Sequence, residues 1–282
     1  MSLRAERAVV SLAGGAASAS GSVPTLHVET DGSGPDLVLL HGWGFDQRVW
    51  GGFGGRLAER FRVHRVDLPG HGRSRDLPFN DLAAVAGQVA SATPRGSTVC
   101  GWSLGGSVAL QLARMAPAHV GRLVLVATTP CFVAREDWGA GMPANPFRDF
   151  RERFASDRDA ALRRFAGLIA VGSADYRERY RQLAAMTTWA GPDATGLDAA
   201  LAALLETDLR DAVASLAPPA LVIQGGRDGL VPVAAAQWLA ARLAARKPQD
   251  VSTQFELLPD AGHSPFIDAP EHVANRIAHW HG

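Results

Sequence analysis

The chain has 282 residues, and its 28 lysines and arginines balance 28 aspartates and glutamates, so the formal net charge is zero. That balance excludes the strong basic excess of an ordinary nucleic-acid binder. A 47% hydrophobic composition at this length supplies a full core and excludes both a disordered chain and a small disulfide scaffold. No apolar run reaches the roughly 18 residues that a membrane span needs, so no membrane association is expected.

In chain order, residues 1–22 read as a flexible leader. From Ser11 to Ser22 every residue except Leu12 is Ser, Ala or Gly, a composition that cannot bury enough surface to order itself. Arg4 and Arg7 before Ala8 to Ala13, with Ala17-Ser18-Ala19 beyond, have the outline of a secretion signal. Gly14 and Gly15 interrupt its weak apolar stretch, and Cys100 and Cys131 are too few for a disulfide framework. A reducing, cytoplasmic setting is expected.

From Thr25 short apolar runs alternate with helical patterns, the signature of a mostly parallel sheet covered by helices on both faces. Leu37 to Leu40, Val63 to Val66, Thr98 to Cys100, Leu123 to Val126, Ala220 to Ile223 and Phe255 to Leu258 read as strands, most of them apolar on both faces. Asn80 to Ala92, Gly105 to Ala116, Val233 to Ala245 and Pro270 to Trp280 read as helices. The rhythm breaks once. About 90 residues separate the strand ending near Ala127 from the one beginning near Ala220, far more than an ordinary connection. Within that gap Phe150 to Phe154, Ala160 to Ala170, Asp175 to Met186 and Leu197 to Leu205 have helical spacing, with breaks at Gly172-Ser173 and Gly191-Pro192. The expected organisation is therefore an α/β core over residues 23–128 and 208–282 with a helical lid inserted at 129–207.

The chemistry concentrates at Gly101-Trp102-Ser103-Leu104-Gly105, a G-x-S-x-G pattern between a strand and a small-residue helix. A serine on such a sharp turn needs neighbours without side chains, and it needs a base to activate its hydroxyl and a third group to orient that base. Asp228, just past a strand end, is the expected acid, and His263 in Ala261-Gly262-His263-Ser264 the expected base. His71, within Asp67-Leu68-Pro69-Gly70-His71-Gly72-Arg73-Ser74, is the rival base, though its surroundings suit an imidazole that ties a turn together. The oxyanion needs two preorganised N–H donors. Leu104, opening the helix after the serine, supplies one, and Trp43 in His41-Gly42-Trp43-Gly44 the other, its indole lining the pocket or simply filling the core. Cys100 reads as a buried strand residue. No metal or organic cofactor is required.

In order along the chain, His41-Gly42-Trp43-Gly44, Asp67 to Ser74, Gly101 to Gly106 and Gly262-His263-Ser264-Pro265-Phe266 resemble the α/β-hydrolase superfamily from about Thr25 to His281. Gly-Trp-Ser-Leu-Gly-Gly, Trp50, Asp228-Gly229-Leu230-Val231-Pro232 and His263 to Ile267 look more narrowly like the biotin-pathway carboxylesterase family. That resemblance implies an ester substrate presented on acyl-carrier protein. It implies substrate contacts at Trp43, Ser103, Leu104, Phe165, Ala166, Gly167, Leu168, Ile169 and His263, and carrier contacts at Arg164, Arg177 and Arg181.

The charge pattern is independent of the resemblance. Asn145 to Gln182 hold nine arginines against six acids in a chain that is neutral as a whole. Such a face can steer an acidic partner, while Asp159 with Arg163 and Asp175 with Arg179 also have helix-pair spacing that would merely solvate the lid. A monomer is expected. The rival reading is a broad carboxylesterase for small esters with the same triad and no protein partner.

Overall fold

The computed structural model describes residues 25–187, 195–245 and 253–282. The expected leader and the Gly191-Pro192 break lie outside the described residues. In chain order the core begins with β1 (Val28–Asp31), β2 (Asp36–Leu40), α1 (Gly51–Ala58), β3 (Arg62–Val66), α2 (Leu82–Ala92), β4 (Ser97–Trp102), α3 (Leu104–Met115) and β5 (Val120–Val126). Four helices follow: α4 (Ala144–Ser156), α5 (Arg158–Ala170), α6 (Tyr176–Thr187) and α7 (Thr195–Glu206). The chain then returns through α8 (Arg210–Val213), β6 (Ala220–Gly225), α9 (Val233–Ala244), β7 (Gln254–Leu258), α10 (Pro265–Asp268) and α11 (Pro270–His281).

The strands form one seven-stranded sheet in the order β1-β3-β2-β4-β5-β6-β7. All neighbours are parallel except β1 on β3. The register places Leu40 beside Gly101, Trp102 beside Val126, Val126 beside Ile223 and Gly225 beside Leu258. The carboxyl ends of five parallel strands therefore finish level, and the loops that leave them share one edge, where sites of open α/β sheets form.

The central strands β4 and β6 are buried at every residue, which accounts for their mostly apolar sequence. Helix α2 starts at Leu82 rather than Asn80 because Asp81 caps it, its carboxylate accepting from the Ala84 N–H at 2.7 Å. Four elements were not expected from the sequence: β1, α1 and the single-turn helices α8 and α10. β1 is a partly exposed edge strand of sequence Val-Glu-Thr-Asp, too polar to show an apolar run. α1 is Gly-Gly-Phe-Gly-Gly-Arg-Leu-Ala, a poor intrinsic helix that is held by burying Phe53 and Leu57 against its neighbours.

Candidate active site

Ser103 follows β4 directly and adopts φ 54° and ψ −117°, a conformation that costs a non-glycine residue of order 1–3 kcal/mol and persists only where its surroundings enforce it. Two backbone approaches and one side chain do so. A Cβ on Gly101 would lie 2.3 Å from the Gly105 carbonyl oxygen, and one on Gly105 would lie 2.1 Å from that of Leu40. The Ser103 carbonyl is held by the Thr128 hydroxyl at 2.7 Å, with the Gly106 Cα packed against the same threonine. The elbow is thus locked between β2 and β5.

Asp228 leaves the end of β6, and its side chain is wholly buried. Its Oδ1 accepts from the backbone N–H groups of Leu230 (2.8 Å) and Val231 (3.0 Å), and its Oδ2 from the Gln224 amide at 2.9 Å. His263, from the loop after β7, donates through Nδ1 to Oδ2 at 2.9 Å. Burial works against the Asp228 charge, but the facing imidazole, its hydrogen bond and the two backbone donors hold the carboxyl below its ordinary range. That keeps it ionised and fixes the tautomer with Nε2 free to accept. His263 Nε2 is buried and has no hydrogen-bond partner among the described residues. The serine and imidazole therefore make no direct hydrogen bond here, as is common before substrate tightens such a site.

Trp102 was not singled out by sequence reasoning. Its indole N–H donates to the His263 carbonyl at 2.8 Å, tying the residue before the serine to the backbone of His263. Only the aromatic residue at the second position of G-x-S-x-G hinted at this bond.

Leu104 opens α3, so its N–H is one of the four that have no acceptor within the helix. Trp43 lies in the loop after β2, which two buried histidines shape. His41 Nε2 accepts from the Leu68 N–H at 3.0 Å and its Nδ1 donates to the Gly42 carbonyl at 2.9 Å. His71 Nδ1 donates to the Pro69 carbonyl at 2.8 Å, and the two rings lie 5.1 Å apart. Burial pushes His71 down to about 3, with His41 adding repulsion, and burial also lowers His41. His71 thus has the turn-tying place expected of it.

The other histidines that could have rivalled His263 have structural partners: His64 with Asp36 and Thr30, His119 with the Thr93 carbonyl, and His272 with Glu256. Burial raises the Cys100 thiol to about 12, so it stays protonated inside β4.

The inserted helices cover these loops. Trp43 is buried, meets Phe150, Phe154 and Phe165 edge-on at 4.9–5.6 Å, and donates its indole N–H to the Leu197 carbonyl at 2.7 Å. Its side chain joins the loop after β2 to α4, α5 and α7. In α5 the segment from Phe165 to Ile169 does not present one face: Phe165, Ala166 and Ile169 are buried, Gly167 is half-buried, and Leu168 is exposed, as helical periodicity separates neighbours. Arg164, Arg177 and Arg181 are exposed, Arg181 pairing with Glu178. Arg179 does not pair with Asp175 as its spacing suggested. Asp175 caps α6 instead, and Arg179 reaches Asp268 of the core.

The alpha/beta hydrolase family model matches residues 37–276. The chain belongs to that family. It is 42% identical over 248 residues to a pimeloyl-[acyl-carrier protein] methyl ester esterase from Nitrosomonas europaea, covering 88% of this chain and 96% of that protein. A protein of the same name from Methylococcus capsulatus is 42% identical over 253 residues, covering 89% and 96%. Among solved structures, an esterase from Exiguobacterium antarcticum superposes with a TM-score of 0.80 at 25% identity, covering 90% of this chain and 94% of that one.

Proposed function

We propose that this chain is a serine carboxylesterase that hydrolyses the methyl ester of pimeloyl-[acyl-carrier protein], a step of biotin biosynthesis in the cytoplasm. The observation that carries the reading is the 42% identity over 96% of a relative of that name, in a chain whose Asp228 is hydrogen-bonded to His263 beside a strained Ser103.

In the first half-reaction Ser103 Oγ attacks the ester carbonyl while His263 Nε2 takes its proton. The imidazolium that results is stabilised by the buried Asp228 carboxylate, and the backbone N–H groups of Trp43 and Leu104 receive the oxyanion. Collapse of the intermediate expels methanol, which leaves with the proton from His263. Water then attacks the acyl-serine, giving its proton to His263, and Ser103 recovers a proton as the free carboxylate departs. No metal or cofactor takes part in these steps.

The helices α4 to α7 act as a lid that excludes water and selects the acyl group. The inner surface of α5, with Phe165, Ala166 and Ile169, suits a methylene chain, and the exposed arginines Arg164, Arg177 and Arg181 suit an acidic carrier protein. Both thiols are free and buried, and among the described residues no helix is long and apolar enough to cross a membrane. The protein works as a monomer in this reading.

The decisive experiment is methanol release from pimeloyl-[acyl-carrier protein] methyl ester, with Ser103→Ala as control and a short free methyl ester for comparison. Serine-dependent turnover that favours the carrier-bound ester, and that falls on charge reversal of Arg164, Arg177 and Arg181, is expected. If only the free ester is cleaved and the reversals change nothing, the protein is a broad carboxylesterase for small esters.

A further inference from the structure

His263 has its backbone held from both sides. Trp102 fixes its carbonyl. On the amino side, the N–H of Gly262 donates to Asp268 Oδ2 at 2.9 Å. Asp268 closes the short helix α10 that follows the base, and its other oxygen accepts from Arg179 Nε at 3.1 Å. Arg179 belongs to the lid helix α6, and its Nη2 also donates to the Ile267 carbonyl at 2.9 Å while its Nη1 donates to Gln182 of its own helix at 2.8 Å. One guanidinium thus grips the carboxylate and a main-chain carbonyl of α10 together. The side chains of the pair are only 16% and 8% exposed, so neither charge is well served by water if the other is removed.

The lid reaches the same loops through its backbone. A Cβ on Gly262 would sit 2.4 Å from the Val171 carbonyl oxygen, and one on Gly172 would sit 2.4 Å from that of Arg227, next to Asp228. The turn between α5 and α6 therefore rests on the two loops that carry the base and its orienting acid. Arg179 fastens the helix that starts just after that turn.

We infer that Arg179 and Asp268 are positioning residues that couple the seating of the lid to the alignment of His263, through the Gly262 N–H. With Arg179 bound, the Asp268 carboxylate is neutralised and can remain buried against Gly262. Without it, the carboxylate turns toward water, the Gly262 N–H loses a charge-assisted acceptor, and the loop that carries the imidazole loosens. The pair touches no reacting atom. The inference rests on His263 being the general base.

The test uses the full chain with Arg179→Met, Asp268→Ala and the double variant. Active sites are counted with a fluorophosphonate that labels the serine, and kcat and KM are measured on a short free methyl ester. Each single variant is expected to lower kcat per labelled site about tenfold with KM held within threefold. The double variant should be no slower than the worse single one, because both break one connection. Arg179→Lys, which keeps the charge, should recover at least half of the loss, and exchange of the Gly262 amide should quicken in both single variants.

If Asp268→Ala does not fold, Asp268→Asn replaces it, keeping an acceptor for Gly262 but no charge for Arg179. A merely structural pair would change melting temperature while leaving kcat per labelled site within twofold, and that result, or multiplicative losses in the double variant, overturns the inference. Failure of the parent reading shows separately, as absent labelling of wild type or as activity that survives Ser103→Ala.

Discussion

The carboxyl edge of the sheet and the inserted helices meet across one surface, but they are held by different forces. At the edge, position is set by main chain against main chain: the space for a Cβ on Gly105 ends 2.1 Å from the Leu40 carbonyl oxygen. In the insertion, backbone contacts at Val171 and Gly172 are joined by side-chain ones, such as the aromatic cluster around Trp43 and the Arg179–Asp268 pair. Backbone contacts permit almost no substitution, whereas side-chain contacts can be exchanged piecemeal. The difference leaves the sheet edge fixed while the inserted helices can vary.

The largest effect should come from the edge. Asp228→Asn leaves a side chain of the same shape but removes the charge that orients and stabilises the imidazole, and kcat should fall by about four orders of magnitude. Stopped-flow measurement of acylation checks this, and a loss below about tenfold would mean that another group orients His263. Next in size, Gly105→Ala forces a methyl group into the β2 backbone and should cost at least about 3 kcal/mol of stability, read from urea unfolding. A comparable methyl at Gly52, where a Cβ would meet nothing within 4 Å, should be neutral or slightly stabilising by comparison. Equal costs at the two positions would end the distinction drawn between them.

The same division explains what the sequence made legible. The central strands and the residues just beyond them could be read because burial on both faces leaves an apolar run, and Ser103 and Asp228 each follow such a run, while His263 follows the half-buried edge strand β7 and was legible from its glycine-flanked motif. β1 escaped because half-exposed edge residues carry Glu29, Thr30 and Asp31, and α1 because four glycines hide a helix that packing sustains. In the lid, local spacing suggested Asp175 for Arg179, but a carboxylate 89 positions away won it, and no rule of helical neighbours contains that contact. The resemblance groups Leu168 with its neighbours, whereas the turn of the helix exposes it while Phe165 and Ile169 are buried.

The loop below the lid adds a pH dependence. His71 is held down to about 3 against an ordinary 6.5, so between those values the unfolded chain binds the proton and the folded one does not. Stability therefore rises with pH through this window and is lost as pH falls below about 6.5, by about 2 kcal/mol at pH 5 from His71 alone. His41, also lowered by burial, acts in the same direction. Urea midpoints at pH 7 and pH 5 measure the drop, and His71→Asn should flatten it even where it lowers stability at pH 7. An unchanged slope in that variant would show that the acid sensitivity arises elsewhere.

The smallest effects should separate two ways of holding the lid. Trp43→Phe keeps most of the aromatic surface but removes the buried 2.7 Å bond to the Leu197 carbonyl, worth about 0.5–1.5 kcal/mol, and leaves a gap where the larger indole was packed. Arg151 makes a better-looking contact, two parallel bonds of 2.9 Å to Asp198 that join α4 to α7. Its side chain and its partner's are 41% and 42% exposed, however, so water and salt screen the pair and its contribution should be no more than about 0.5–1 kcal/mol. Chemical denaturation of Trp43→Phe and Arg151→Met at low and high salt makes the comparison direct. The tryptophan variant should lose more stability at both salt concentrations, and the small loss in Arg151→Met should shrink further at high salt. If Arg151→Met costs as much as Trp43→Phe, charge at the rim rather than the buried indole bond is what keeps the helices over the site.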